Sequence, residues 1–225
     1  MSSDFIKDIY KWESDEAVKT LNECGMKTEM TVMDFGCGAP HYVFPASQII
    51  GNTSFVYAAD KNKWIIELVQ RRMSNEGITN IKPIRLTDKT IKKFNEPLQF
   101  IMYYDMFHIM GNRIDSRLIG NEKLFHEFNR LLSNGGILSF AVYWEVTRMQ
   151  DPVKGWITIP YEEVFNEHYK FIPFIESCGF KLKNIVKNGG VHFDEIEFKL
   201  NLKKYKDINF SDLERRDIYN FIKVY

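Results

Sequence analysis

The chain has 225 residues, 44% of them hydrophobic, enough to bury a full core within one domain. Its 30 Lys and Arg balance 30 Asp and Glu, so no global positive field marks nucleic acid as a partner. The three cysteines (Cys24, Cys37 and Cys178) stand far apart without CxxC spacing, which argues against a zinc site or a disulfide scaffold and for a reducing compartment.

The opening Met-Ser-Ser-Asp-Phe lacks the basic and apolar regions of a secretory signal, and no apolar run reaches ~20 residues, so a cytoplasmic chain without a membrane span is expected. Ser14 reads as the cap of a helix through Cys24, with Ala17, Val18, Leu21 and Cys24 on one face and Gly25 as its stop. Thr31–Phe35 is a strand that runs through Asp34 into a turn with Gly36 and Gly38. Tyr42–Ile50 follows as a short helix closed at Gly51-Asn52. Ser54–Ala59 is a second strand ending at Asp60. Trp64, Ile65, Leu68, Val69 and Met73 then keep helical spacing up to Gly77. Ile81–Leu86 is a third strand, and its Pro83 predicts a position near an edge. Leu98–Tyr104 is a fourth strand, Leu118–Leu132 a helix, and Asn134-Gly135-Gly136 turns it into a fifth strand, Ile137–Tyr143.

Beyond Tyr143 the alternation stops. Residues 145–160, with Pro152, Gly155 and Pro160, read as a loop of the length usually tied to function. A helix carrying Phe171, Phe174, Ile175 and Cys178 ends at Gly179. Phe180–Val186 and His192–Leu200, around Asn188-Gly189-Gly190, read as a hairpin. Ser211-Asp212-Leu213-Glu214 is a capping box that predicts a last helix with Leu213, Ile218, Phe221 and Ile222. The expected architecture is α/β: a Rossmann-like, mostly parallel seven-stranded sheet with helices on both faces and an antiparallel edge hairpin. It fills one domain over residues 1–225, with an N-terminal helical cap (1–25), a core (26–200) and a C-terminal helical extension (201–225).

In a parallel sheet, Asp34 and Asp60 end neighbouring strands at one edge, beside the glycine turn. Ligands of open α/β sheets bind at that edge, where glycines let the backbone approach closely. An acid ending the second strand is placed to accept both ribose hydroxyls of an adenosine, and an acid beside the turn suits a nearby ammonium or sulfonium. Dinucleotide-binding turns read GxGxxG, but His41 stands at the third glycine and Asp34 would face a pyrophosphate. Helix capping is the plain alternative for Asp60.

Thr31–Gly38 with His41–Gly51, Tyr57–Asp60 and Asn129–Phe140, in this order and spacing, resemble the motifs of class I S-adenosylmethionine-dependent methyltransferases. The likeness is greatest to the small-molecule branch that includes the ubiquinone/menaquinone-biosynthesis type, and it covers roughly residues 25–200. The resemblance implies S-adenosylmethionine as cofactor, with Asp34, Gly36 and Gly38 at its methionine end, Asp60 on the ribose, Lys61 and Asn62 beside the adenosine, and Thr87 and Asp88 near the adenine amino group. It also implies an acceptor pocket formed in part by the 143–160 loop, with Trp144, Glu145, Arg148 and Trp156.

The fourth strand ends in Tyr103-Tyr104-Asp105-Met106-Phe107-His108. An aromatic face such as Tyr103 stabilises a sulfonium by ~0.5–2 kcal/mol, and Asp105 and His108 are candidates to take a proton from a substrate hydroxyl or amine. No metal-ligating set is expected. The sequence departs from the family pattern at Pro40 for the third glycine, at Thr87 for the acid after the third strand, and at Ile101 in the fourth. The leading expectation is methyl transfer to a small-molecule acceptor. Two alternatives stand beside it: a catalytically silent S-adenosylmethionine-binding module, and an RNA methyltransferase using the basic tail (Lys203, Lys204, Lys206, Arg215, Arg216). The acids interleaved in that tail favour a solvated helix face.

Overall fold

Val32–Phe35 (β1) and Val56–Asp60 (β2) are buried along their whole lengths. Strands buried on both faces need helices on both sides, which is the condition of a parallel sheet. The computed structural model describes residues 3–106, 114–141, 146–151, 153, 155–160, 171–191, 210, 213 and 215–224. Its further strands are Ile81–Arg85 (β3), Leu98–Tyr104 (β4), Leu132–Ala141 (β5), Val146–Asp151 (β6), Gly155–Pro160 (β7), Phe180–Val191 (β8) and Arg215–Lys223 (β9). Seven of them form one sheet in the order β3-β2-β1-β4-β5-β9-β8. The pairs β3–β2, β2–β1, β1–β4 and β4–β5 are parallel, and β9 runs antiparallel to both β5 and β8. The edge position expected from Pro83 is occupied by β3, where Pro83 pairs with Ala58.

Side chains alternate across the pleat, so each buried strand feeds two cores. Val32, Val56, Ala58, Phe100 and Met102 face a layer built by Ser3–Trp12 (α1), a π turn at Glu13–Ala17, Val18–Glu23 (α2), Val43–Ile50 (α3) and Lys63–Glu76 (α4). Met33, Phe35, Tyr57, Ile101 and Tyr103 face the other layer, which holds Asp88–Lys93 (α5), Ile114–Leu131 (α6) and Phe171–Ser177 (α7). Asp34 and Asp60 are in phase with the first set, so both point to the layer of the N-terminal helices.

Four expectations change. Ser14 is not a helix cap; it lies inside the helical run, where its hydroxyl donates to the Lys11 carbonyl at 3.0 Å. The helix begins earlier because Ile9 and Trp12 already supply buried apolar positions. Its stop at Gly25 stands, with φ of 102° and the Met26 amide returning to the Leu21 carbonyl at 3.0 Å. The 145–160 segment, read as a loop, contains the antiparallel pair β6–β7, with Val146 opposite Pro160 and Asp151 opposite Gly155.

The C-terminal helix is overturned for residues 215–223, which form β9 between β5 and β8. Ile218, Phe221 and Ile222 fit a helical face, yet Ile218 and Asn220 alternate with Tyr219 and Phe221 equally well. A short apolar run does not separate the two periods, and the open edge of β5 decides for a strand. A buried polar chain fixes the insertion: Tyr104 Oη donates to Ser139 Oγ at 2.7 Å, and Ser139 Oγ donates to Asn220 Oδ1 at 2.7 Å, crossing β4, β5 and β9. The hairpin turn expected at Asn188-Gly189-Gly190 is also overturned: β8 runs through these residues to Val191, with an irregular register between Val186 and Gly190, and pairs antiparallel with β9, while the expected strand 192–200 lies outside the described residues. Among the described residues no helix is long and apolar enough to cross a membrane.

Candidate cofactor site

Gly36 and Gly38 adopt φ of 78° and 46°, a region that disfavours side chains, and this folds the chain back over β2. The Gly36 and Cys37 amides both donate to the Ala59 carbonyl, at 2.7 and 3.1 Å. A Cβ on Gly36 would come within 2.4 to 2.8 Å of the Met106 side chain, so this glycine is also required by close approach. Asp60 Oδ2 accepts the Gly38 amide at 3.1 Å, and its Oδ1 accepts the Asn62 amide at 2.7 Å. One carboxylate therefore fastens the glycine turn to the start of α4, while Asn62 is the N-cap residue itself. Each Asp60 oxygen keeps a lone pair for a further donor.

Asp34, paired with Ala58 of β2 and Met102 of β4, is only 4% exposed. Burial, reinforced by the charge of Asp60, pushes its carboxyl up to about 8. Two carboxyl groups thus share one strand edge beside backbone amides. That arrangement fits a ligand carrying both hydroxyls and a positive charge, as S-adenosylmethionine does.

The other expected site residues divide. Lys61 is exposed and Asn62 half-buried, both adjacent to Asp60. The Leu86 amide donates to the Asp60 carbonyl at 2.8 Å, which brings the end of β3 to the same edge. Thr87, next in the chain, caps α5: its Oγ1 accepts the Thr90 amide at 3.2 Å. Asp88 is the first residue of that helix. Tyr103 stands on the opposite face from Asp34, fully buried among Phe35, Phe125, Phe128 and Phe140, with its hydroxyl donating to Asn121 Oδ1 at 2.8 Å. It presents no surface at the strand edge, because odd-numbered residues of β4 point away from the acids. Asp105 follows β4 with φ of 53°, its amide held on the Ala141 carbonyl at 2.9 Å. His108, Trp144 and Glu145 lie outside the described residues, and Arg148 and Trp156 are placed on β6 and β7.

A second cluster adjoins the turn. Glu13 is 4% exposed and accepts a hydrogen bond from His41 Nδ1 at 2.7 Å. Arg72 of α4 donates to both Glu13 oxygens, at 2.9 and 2.5 Å, and also to Glu76 Oε1 at 2.7 Å. Its guanidinium stacks 3.7 Å from the Phe44 ring centre. Burial works to raise the Glu13 carboxyl, but the hydrogen bonds and charges of His41 and Arg72 outweigh it and hold the group below its ordinary range. Sequence reading passes over Glu13 and Arg72, and places Met106 in the cluster closing the fourth strand without a role of its own. Glu13 and His41 are 28 residues apart, Glu13 and Arg72 59, and no spacing rule links them.

The sheet order and strand directions give a Rossmann-like, mostly parallel fold of the kind seen in S-adenosylmethionine-dependent methyltransferases. No protein-family model matches the chain, and no curated protein matches it. Solved structures do. A SAM-dependent methyltransferase from Aquifex aeolicus is 19% identical, with 96% of each chain covered and a TM-score of 0.58. An S-adenosylmethionine-dependent methyltransferase from Clostridium acetobutylicum is 13% identical, covering 96% of this chain and 92% of that one, with a TM-score of 0.56. TrmN from Thermus thermophilus is 16% identical with a TM-score of 0.52; the match takes in 92% of this chain and 48% of TrmN.

Proposed function

We propose that the protein binds S-adenosylmethionine across the ends of β1 and β2 and transfers its methyl group to a small-molecule acceptor. The observation that carries this reading is the placement of Asp34 and Asp60 on one face of one strand edge, bracketing a glycine turn whose amide is tied to Asp60. When bound, the cofactor supplies a methyl carbon already activated by its sulfonium, so the chain contributes chiefly positioning and exclusion of water. Asp60 holds the ribose hydroxyls, and Lys61 and Asn62 flank the adenosine. Asp34 faces the cationic end, where its ionised form gains a partner it lacks among the described residues. Thr87 and Asp88 stand beside the adenine side of the edge. Asp105 and His108 are the acceptor-side groups for a proton released from a hydroxyl or amine. Tyr103 supports the edge from the core beneath it.

The neutral balance of charge favours a small acceptor over RNA. The basic tail also gives RNA less support than a free helix would, since residues 215–223 are sheet and Arg215 donates to Glu16. Calorimetric titration with S-adenosylmethionine and with S-adenosylhomocysteine tests the reading. The wild type is expected to bind both, and Asp60→Ala, checked for retained fold by circular dichroism, to bind at least about tenfold more weakly. A wild type that binds neither compound overturns the proposal. Binding without transfer to any acceptor of a broad panel favours the silent binding module.

A further inference from the structure

We infer that Glu13, carried by the π turn of the N-terminal helix, is a positioning residue for the glycine turn and acts on it through His41. The inference rests on the reading of that turn as the cofactor site. The segment from Gly36 to His41 is fixed at its start by amides on the Ala59 carbonyl and at its middle by the Gly38 amide on Asp60. Just past its far end, the Tyr42 hydroxyl accepts the Val191 amide of β8 at 2.8 Å. Pro40 lacks an N–H, and the His41 amide turns back on the Ala39 carbonyl at 2.6 Å in a three-residue turn. Between these two anchors, a side chain ties His41 itself to the N-terminal helix, His41 Nδ1 on Glu13 Oε1 at 2.7 Å. A carboxylate accepts only, so Nδ1 carries the proton.

The chemistry of that tie points to positioning rather than to plain packing. Two helices and a loop are joined more cheaply by apolar side chains than by a carboxylate 4% exposed, because desolvating the charge costs several kcal/mol before any pairing. What the charged tie adds is direction. Arg72 grips both Glu13 oxygens and is itself clamped on Phe44, so the carboxylate is aimed, and the imidazole is held at one ring nitrogen. Arg72 belongs to α4, whose first turn hangs on Asp60 through Asn62. Asp60 and the Glu13–Arg72 pair therefore hold the same turn and the same helix from two sides. π turns recur at functional sites because they displace a side chain from the regular helical face, and here that side chain is Glu13.

Hydrogen–deuterium exchange on the cofactor-free full chain tests this, with Glu13→Ala and Glu13→Gln against wild type. Gln keeps an oxygen for His41 and removes the charge that faces Arg72. In Glu13→Ala the amides of residues 37–42 are expected to exchange about tenfold faster, the scale of one charge-assisted hydrogen bond, while β1 and β2 keep their protection. In Glu13→Gln the turn is expected to stay near wild type even though the melting temperature falls. Affinity for S-adenosylhomocysteine should follow the turn and not the melting temperature, dropping about tenfold for Ala and little for Gln. Adding His41→Asn to Glu13→Ala should weaken binding no further. A Glu13→Ala turn that exchanges like wild type, turn and strand amides that accelerate together, or a Gln variant as loose as Ala would each overturn the inference. If the wild type binds no S-adenosylhomocysteine, the proposed function fails while the exchange comparison still decides the role of Glu13.

Discussion

Asp34 behaves unlike its counterpart in water. Its carboxyl rises from 3.8 to about 8, so between those values the folded protein holds a proton that the unfolded chain has released. Stability contributed by this group is therefore fully present below about pH 4, falls as pH rises through the window, and is gone above about pH 8. Asp34→Asn has no such slope. Melting curves from pH 5 to 8 should show the variant gaining on the wild type by several degrees, since about 1.4 kcal/mol attaches to each pKa unit and ~1 kcal/mol moves the midpoint of a chain this size by ~2–4 °C. Parallel profiles for the two proteins would mean that Asp34 is ionised in the native state. Asp34, Gly36, Gly38 and Asp60 are legible in the sequence because each terminates or follows a strand at a fixed offset. Glu13 is not, since nothing local to its own helix marks it, and its role depends on a histidine that the fold brings to it.

At the scale of elements, the glycine turn and the end of β4 meet where the Met106 side chain lies against Gly36. Gly36→Ala adds strain from φ of 78°, about 1–2 kcal/mol, and displaces the Met106 side chain. Met106→Ala removes the obstacle, so in urea unfolding the two substitutions should be clearly non-additive, the double variant being more stable than the sum predicts. Additive losses would show that the turn and β4 are independent. Most elements of the core are readable from the sequence, and with them the stops at Gly25, Gly77 and Gly179, because local periodicity and left-handed glycines act within a few residues. The start of the N-terminal helix is less so, since its buried positions continue upstream of Ser14 through Trp12 and Ile9.

Across the whole molecule, β9 is the strand on which both halves of the C-terminal edge depend. It pairs with β5 from Ile137–Ile222 to Phe140–Tyr219 and with β8 from Phe180–Lys223 to Val191–Arg215. Its Ile218 enters one core layer and Phe221 the other, both fully buried. A chain ending at residue 214 should lose cooperative unfolding and bind hydrophobic dye; a truncated protein with the wild-type transition would show that the sheet closes without β9. Deleting the tail is for the same reason no clean probe of a basic RNA contact. The sequence by itself determined the alternation of strands and helices, the parallel core of the sheet, and the acid–glycine–acid order at its edge, because these depend on spacing within a few residues. Only the tertiary structure decided that residues 215–223 are a strand, that Tyr103 serves the core, and that a carboxylate from the N-terminal helix reaches the turn. Each of these is settled by a partner far away in the chain: the unpaired edge of β5, the side of the pleat that an aromatic layer covers, and a histidine 28 residues from Glu13.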